Sequence, residues 1–172
     1  MLTSLQIENI AVIEQAEIFF GEGLNVLTGE TGAGKSIVID SINAVLGERT
    51  SRELIRDSAD KGRVTAFFEN VSDEVMKKLQ EYEIDCEDDG SLLVSRVISA
   101  DGRSSSKING CNVTATMLKN IGRDLISICG QHDSQYLLSK DYHLKLIDEV
   151  AESGELLGEY LEIYEKIKKA TK

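Results

Sequence analysis

An eight-residue segment, residues 29–36, constrains the fold of this chain more than any other part of it. The segment reads GETGAGKS and follows the apolar run LNVL at 24–27. It matches the phosphate-loop pattern of a glycine, four variable positions, and then Gly-Lys followed by Ser or Thr. We therefore expect a strand, a loop whose amides surround phosphate oxygens, and a helix whose positive end faces the anion. The alternative is a glycine-rich turn that binds nothing.

The fixed positions of this pattern have separate chemical tasks. Lys35 is expected to bridge the β- and γ-phosphates of a nucleotide, which also makes it a catalytic candidate. The Ser36 hydroxyl is the candidate ligand for Mg²⁺. The glycines let the backbone turn its amides inward. The predicted nucleotide-binding residues are Gly29, Gly32, Ala33, Gly34, Lys35, Ser36 and Ile37.

The charge and composition of the chain narrow its function class. Its 30 acidic and 19 basic residues give a net charge of −11. Because phosphate contacts need clustered cations, any contact with DNA must be local. No apolar run approaches membrane-spanning length and the first residues do not resemble a signal peptide, which predicts a cytoplasmic protein. The widely spaced Cys86, Cys111 and Cys129 predict reduced thiols rather than disulfides or a zinc site.

Alternation of apolar and polar residues predicts an antiparallel β region around the loop. Asp-Gly at 101–102 and Asn-Gly at 109–110 lie between strand-like runs, and such dipeptides are typical of tight hairpin turns. A buried strand is expected at 125–129. The remaining predicted strands are one around Leu5 and Ile7, one at 16–20, and those at 64–68, 92–98, 104–108 and 111–113.

Helical spacing of apolar residues predicts four helices. The run 36–46 is almost wholly apolar, so we expect its helix to be buried on more than one side and to pack inside the sheet. Ser72 is a plausible N-cap for a second helix at 71–82. A short helix is expected at 114–120, and helix again from residue 140 onward.

Three segments, in this order, resemble the head of the structural maintenance of chromosomes (SMC) family of ATPases, and within it a DNA-repair branch. They are residues 28–36, then Arg96 with 100–104 and 108–110, then 130–132 with Gln135. The resemblance covers nearly the whole chain. It implies an α/β fold: the N-terminal lobe of a P-loop ABC-type ATPase with an antiparallel β subdomain, followed by the start of a coiled-coil helix. The lobe is expected at 1–139 and the helical segment at 140–172.

The resemblance also implies that this chain contains only part of an ATPase site. Such heads are split in sequence, so that a C-terminal lobe returns after a long coiled coil and completes the site. Two heads then sandwich ATP and Mg²⁺ in a head-to-head homodimer. The implied function is an ATP-binding lobe acting in DNA double-strand break repair and recombination, in a cytoplasmic, nucleoid-associated protein. The chain is expected to be an ATPase only as part of the complete protein.

The glutamine that senses the γ-phosphate in such heads is assigned by the same resemblance. Gln131, after the predicted strand at 125–129, is the candidate for this catalytic role and for contact with Mg²⁺. Gln135 is the alternative, because the spacing departs from the usual SMC pattern. His132 could act as a general base, although a histidine packed in a loop is the ordinary interpretation.

Three arginines, Arg49, Arg52 and Arg56, lie where SMC-like heads approach nucleotide and DNA, and they are the candidate DNA contacts. Solvated or ion-paired arginines are the alternative. The run LKLIDE at 144–149 resembles a Walker B strand, the strand whose acidic residues serve Mg²⁺ and the attacking water. Its apolar residues fit a helix better, which assigns no catalytic role to Asp148 or Glu149.

The C-terminal segment leaves two interpretations open. Leu157, Tyr160, Tyr164 and Ile167 follow one another at spacings of three and four, as at the start of a coiled coil. A simple amphipathic helix fits equally, since two heptads do not define a coiled coil. The alternative functions are a nucleotide-binding subunit of another ABC-type ATPase, a self-contained small P-loop phosphotransferase, and a scaffold that uses nucleotide only structurally.

Overall fold

A computed structural model describes residues 1–29, 34–86, 89–128, 143–144, 147–148, 150–151 and 153–170, apart from the side chain of Glu155. The chain divides into two compact units, Met1–Ser127 and Ile128–Lys172. The first contains a mixed α/β fold, and most of the described residues of the second are helical. The predicted division at residue 139 stays a prediction.

Six antiparallel strands form one sheet in the first unit, in the order β2-β1-β3-β4-β5-β6. Along the central strand β3, even-numbered residues are buried and odd-numbered residues face outward, so the described residues cover one side of this strand. The strands are β1 (Leu2–Ile10), β2 (Ile13–Phe19), β3 (Lys61–Phe68), β4 (Leu92–Ser99), β5 (Ser104–Ile108) and β6 (Cys111–Val113).

Both predicted hairpins are confirmed, because their turn residues adopt the left-handed backbone that these turns need. Gly102 has φ +84°, while Asn109 and Gly110 have φ +46° and +82°. The Asn109 side chain also fixes its surroundings: its Oδ1 accepts from the Leu93 amide at 2.8 Å, and its Nδ2 donates to the Asp85 carbonyl at 3.0 Å. The turn therefore holds β4 against the loop that follows the second helix.

Four α-helices and a short 3-10 helix, Arg52–Leu54, have bounds within the described residues, and further helical residues lie between 143 and 150. The α-helices are α1 (Gly34–Val45), α2 (Asp73–Glu81), α3 (Ala115–Leu125) and α4 (Gly154–Ala170). The predicted N-cap is confirmed, since Ser72 Oγ accepts from the Val75 amide. Thr114 Oγ1 caps α3 in the same way at Met117.

The helix α1 packs on one face of the sheet, so the prediction that it lies inside the sheet is wrong. Ile37 and Val38 are buried, whereas Ile39 is 41% exposed. The C-terminal end of the helix is enclosed, because α3 lies against it as well as the sheet. The first turn and one flank of α1 remain open.

Two other predicted elements are also wrong. Residues 24–27 form no strand, and Leu24 and Val26 are 90% and 69% exposed. At 125–129, helix α3 continues to Leu125 and residues 126–128 have no regular structure, while Cys129 lies outside the described residues. A strand needs a neighbour for its backbone hydrogen bonds, and no strand among the described residues lies beside either segment.

The second unit is helical at 143–144, 147–148, 150 and throughout α4. The helical interpretation of the Walker B look-alike is therefore confirmed for those of its residues that the structure describes. Tyr160 and Tyr164 stack with ring centroids 6.0 Å apart, and both are exposed. The coiled coil stays a prediction. No helix in the described part of the chain is long and apolar enough to span a bilayer.

Helices α1 and α3 approach so closely that two glycines are required. A Cβ on Gly122 would lie 2.3 Å from the Leu46 carbonyl oxygen, and a Cβ on Gly47 would lie 2.6 Å from the Lys119 amide. Gly47 also has φ +92° at the end of α1. The Lys119 ammonium then pairs with the Glu48 carboxylate at 2.8 Å. The end of α1 is thus fixed against α3 at backbone distance.

We predict that Gly122→Ala destabilises the chain by about 1–3 kcal/mol, because a methyl group there overlaps a backbone carbonyl. Gly158→Ala in α4 is the matched control, since no described atom lies within 4 Å of the point that its methyl group would occupy. That control should leave stability unchanged or raise it by up to about 1 kcal/mol through helix propensity. Urea unfolding followed by circular dichroism measures both. Equal stability of the two variants would contradict the close packing.

Candidate nucleotide-binding site

The described ends of the predicted phosphate loop, Gly29 and Gly34, are joined by the side chain of Lys35. Its ammonium donates a hydrogen bond to the Gly29 carbonyl at 2.5 Å. Gly34 begins α1, and Lys35 and Ser36 lie exposed in its first turn. The loop centre at 30–33, which includes Gly32 and Ala33, lies outside the described residues. Lys35 thus occupies the mouth of the loop, where a phosphate oxygen could replace the Gly29 carbonyl as its partner.

The electrostatics of this helix end suit a nucleotide phosphate. The first amides of an α-helix have no intrahelical acceptor and carry partial positive charge. The first turn of α1 contains no acidic residue that would compete with an anion. A Cβ built on Gly29 or Gly34 would meet no described atom within 4 Å, which leaves room beside the backbone at both positions. Ser36 presents a hydroxyl oxygen of the type that Mg²⁺ accepts as ligand.

Apolar side chains next to the loop are exposed to an unusual degree. Leu24, Val26 and Leu27 precede it with 90%, 69% and 42% of their surface accessible. Ile39 on the open flank of α1 is 41% exposed. Such a cluster beside a ligand site is typical of a surface that another polypeptide segment covers. The site is therefore bordered by apolar surface that the described residues do not bury.

Arg96 holds the other end of α1, a role that the sequence did not reveal. It projects inward from β4 and is 4% exposed. One terminal nitrogen, Nη1, donates to the Ala44 and Glu48 carbonyls, each at 2.7 Å. The other, Nη2, donates to Ser104 Oγ at 3.3 Å. Arg96 therefore donates to two carbonyls at and just after the C-terminal end of α1, of which that of Ala44 also accepts from the Gly47 amide at 3.2 Å.

Burial disfavours the charged form of the Arg96 guanidinium. Desolvation lowers the pKa of Arg96, and the nearby Glu48 carboxylate opposes that shift. The Arg96 Nε is buried without a hydrogen-bond partner among the described residues. The side chain stays charged at neutral pH, because even a lowered arginine pKa lies far above that range. The charge is held by carbonyl dipoles rather than by a direct ion pair.

The remaining predicted site residues are not brought to the loop by the described structure. Gln131, Gln135 and His132 all lie outside the described residues. Asp148 is in a helical segment, and its Oδ1 accepts from Ser153 Oγ at 3.2 Å. Among the residues that the structure describes, no group of three or more His, Cys, Asp or Glu side chains could hold a metal ion.

The three candidate arginines have different environments. The side chains of Arg49 and Arg52 are exposed and make no hydrogen bond or ion pair with other described residues. Arg56 is half-buried and donates from Nη1 to the Val12 carbonyl at 2.9 Å, with Glu14 at 3.9 Å. It closes the turn between β1 and β2. Of these three arginines, only Arg49 and Arg52 have side chains without a partner among the described residues.

One protein-family model, described as "AAA domain", matches residues 4–172, which is nearly the whole chain. The chain belongs to the AAA domain family. It is 41% identical over 175 residues to the DNA repair protein RecN of Bacillus subtilis, covering 100% of this chain and 30% of that protein. The chain thus spans about a third of the length of the curated relatives it matches. The prediction of a RecN-type, SMC-like head lobe is confirmed.

Two solved structures show the same fold. The Smc head domain of Pyrococcus furiosus, with an extended coiled coil and bound to the C-terminal domain of ScpA, has a TM-score of 0.68 at 23% identity, covering 99% of this chain and 46% of that one. An SMC ATPase studied for ATP-driven dimerization and DNA-stimulated activation has a TM-score of 0.62 at 24% identity, covering 87% and 98%. The ABC-type ATPase lobe is therefore confirmed as the fold class.

We predict that Arg96→Met destabilises the chain by about 2–4 kcal/mol, because it removes three hydrogen bonds that the buried guanidinium makes to Ala44, Glu48 and Ser104. Arg103→Met is the matched control, since Arg103 stands in the turn before β5 with a side chain 89% exposed. We expect the control to change stability by less than about 0.5 kcal/mol. Denaturant unfolding measures both variants, and similar stability would show that Arg96 does not hold the helix.

Proposed function

We propose that this chain is the ATP-binding lobe of an SMC-like DNA repair ATPase that acts in double-strand break repair and recombination. The observation that carries the proposal is the position of Lys35 at the mouth of the loop, at the N-terminal end of α1. The likeness to DNA repair proteins named RecN supports it. The likeness to SMC heads supports the same fold.

The residues of the loop would hold Mg²⁺ and ATP in defined ways. Lys35 binds the β- and γ-phosphate oxygens, in exchange for the Gly29 carbonyl. The backbone amides of 33–36 orient the β-phosphate, and Ser36 Oγ ligates Mg²⁺. When bound, Mg²⁺ neutralises charge on the phosphate oxygens during phosphoryl transfer. Gln131 is the proposed residue that senses the γ-phosphate, with Gln135 as the alternative.

A second lobe completes this site in our proposal. The exposed apolar segment at 24–27 and the open flank at Ile39 are surfaces for a returning C-terminal lobe. Strand addition along 24–27 would supply the backbone partners that these residues lack within the described chain. It would also bury Leu24 and Val26, and each fully buried aliphatic side chain contributes about 1.5–3 kcal/mol.

Hydrolysis would then require the complete protein and a second head. We propose that two copies engage head to head across ATP, as a homodimer, and separate after hydrolysis. ATP-driven dimerization is the subject of the SMC ATPase structure described above, at an identity that by itself shows only the fold. The 172-residue chain alone should bind nucleotide weakly and hydrolyse it negligibly.

DNA is the proposed macromolecular partner, and association with the nucleoid would follow. Arg49 and Arg52 are the candidate contacts, because their side chains are exposed and have no partner among the described residues. Arg56 is less suited to this role, since the Val12 carbonyl already engages it. Its removal should act through the turn between β1 and β2.

We predict that Lys35→Ala weakens the binding of Mg-ATP to the complete polypeptide by about 10- to 100-fold. A charged hydrogen bond of this kind contributes about 1.5–3 kcal/mol. Lys77→Ala, an exposed lysine on α2, is the control and should bind as the parent protein does. Isothermal titration calorimetry measures the affinities. Equal affinity of both variants, or rapid hydrolysis by the 172-residue chain, would refute the split site.

We predict that reversing charge at Arg49 and Arg52, both to Glu, lowers DNA-stimulated ATP hydrolysis of the complete polypeptide at least fivefold. Repulsion from phosphate replaces attraction at two positions. The control changes the net charge equally at Lys77 and Arg123, two exposed residues on α2 and α3. Stimulation is measured by phosphate release with and without duplex DNA. A similar loss in both variants would assign the effect to net charge.

A further inference from the structure

The outward side of strands β3 to β6 carries cations, whereas Glu8 on β1 and Glu17 on β2 occupy outward positions of the same sheet. The sheet face is defined here as the outward positions of β3, β4, β5 and β6, together with the turn residue Arg103. The buried positions of these strands point toward α1 and α3, and the outward positions alternate with them. The cations of the sheet face are Lys61, Arg63, Arg103 and Lys107.

No carboxylate occupies an outward position on these four strands, all of whose residues are described. The nearest are Glu8 on β1, 4.0 Å from Arg63, and Asp101 in the hairpin turn, 3.6 Å from Arg103. These are exposed pairs of the kind that contribute little stability. Lys61 and Lys107 have no ion-pair partner among the described residues. The chain as a whole has a net charge of −11, whereas this face carries four cations and is locally positive.

The strand register places these cations close together. Lys61 is the cross-strand partner of Ser99, and the Ser99 amide donates to the Arg103 carbonyl at 2.8 Å. Since neighbouring strands lie about 4.8 Å apart, Lys61 and Arg103 are separated by about 10 Å across the sheet. Arg63 is two residues from Lys61 on the same side. The four charges therefore share one area about 10 Å wide and about 13 Å long.

Hydroxyl groups and one aliphatic side chain, Val97, lie between the cations. The hydroxyls belong to Thr65, Ser95, Ser99 and Ser105, at outward positions of the same strands. Lysine, arginine, serine and threonine are the side chains that commonly bind phosphate oxygens of nucleic acids. The cationic part of the face has no aromatic side chain on which an unpaired base could stack, as single-stranded binding requires.

We propose that the sheet face binds the phosphate backbone of duplex DNA without reading its sequence. This inference rests on the proposed function, in which DNA is the partner, and it adds a surface distinct from Arg49 and Arg52. Charge complementarity selects the occupant, because duplex DNA carries one negative charge per about 1.7 Å of its axis. The face has its cations spread over neighbouring strands, which suits a backbone rather than a single phosphate.

The test removes the four charges together by Lys61→Gln, Arg63→Gln, Arg103→Gln and Lys107→Gln in the complete polypeptide. A matched control removes four exposed cations elsewhere, by Lys77→Gln, Arg123→Gln, Lys166→Gln and Lys168→Gln, so that both variants lose the same net charge. Affinity for a fluorescein-labelled duplex of about three helical turns is measured by anisotropy at several salt concentrations. Circular dichroism confirms that each variant is folded.

We expect the sheet-face variant to bind at least tenfold more weakly than the control. The slope of log affinity against log salt should also fall by about 3–4, as each lost phosphate contact removes about 0.9. A slope equal to that of the control would overturn the proposal, as would undetectable duplex binding by the parent protein at low salt.

A second readout separates DNA from an acidic protein as the occupant. If the sheet-face variant loses affinity for polyglutamate but keeps its affinity for duplex DNA, the face binds an acidic polypeptide and the proposal is wrong. Calorimetry with Mg-ATP separates this proposal from the proposed function. Absence of nucleotide binding in the parent protein would refute the proposed function. An unchanged salt slope beside intact nucleotide binding would refute only the sheet face.

Discussion

The C-terminal end of α1 is the point on which the first unit depends. Carbonyls at and just after this end accept from the buried Arg96 on β4, and the residues that follow contact α3 at backbone distance through Gly47 and Gly122. A hydrogen bond from a charged donor contributes about 1.5–3 kcal/mol. One guanidinium therefore joins the end of the helix to the sheet. The opposite end of the same helix carries Lys35 and Ser36, the residues proposed to bind nucleotide.

The two ends of α1 therefore have different environments. The C-terminal end is enclosed by the sheet and α3, so its position is rigidly determined. The N-terminal half has Lys35 and Ser36 exposed and an open apolar flank at Ile39. A helix fixed at one end and open at the other presents its amides to a ligand and its flank to a second polypeptide segment.

Features that depend on neighbouring residues could be predicted from the sequence, whereas features that depend on distant residues could not. The hairpins at Gly102 and Gly110 and the cap at Ser72 were predictable, because each depends on a few neighbouring residues. The strands expected at 24–27 and 125–129 were not formed, since pairing depends on partners that the described chain lacks. The role of Arg96 could not be predicted, because it contacts a carbonyl 52 residues away. A charged residue in a strand otherwise buried at alternate positions was the only signal for it.

The β4–β5 hairpin also relates the two ligand surfaces to each other. On its inner side, Arg96 and Ser104 hold the end of α1. On its outer side, Arg103 and Lys107 belong to the cationic sheet face. Successive residues of a strand point to opposite sides, so the same short hairpin contributes side chains both to the end of α1 and to the sheet face. A polyanion that orders this hairpin from outside would also restrict the helix whose first turn carries Lys35. Under the two proposals above, the contact between Arg96 and the end of α1 is the route by which DNA on the sheet face would restrict the nucleotide-binding end of the helix.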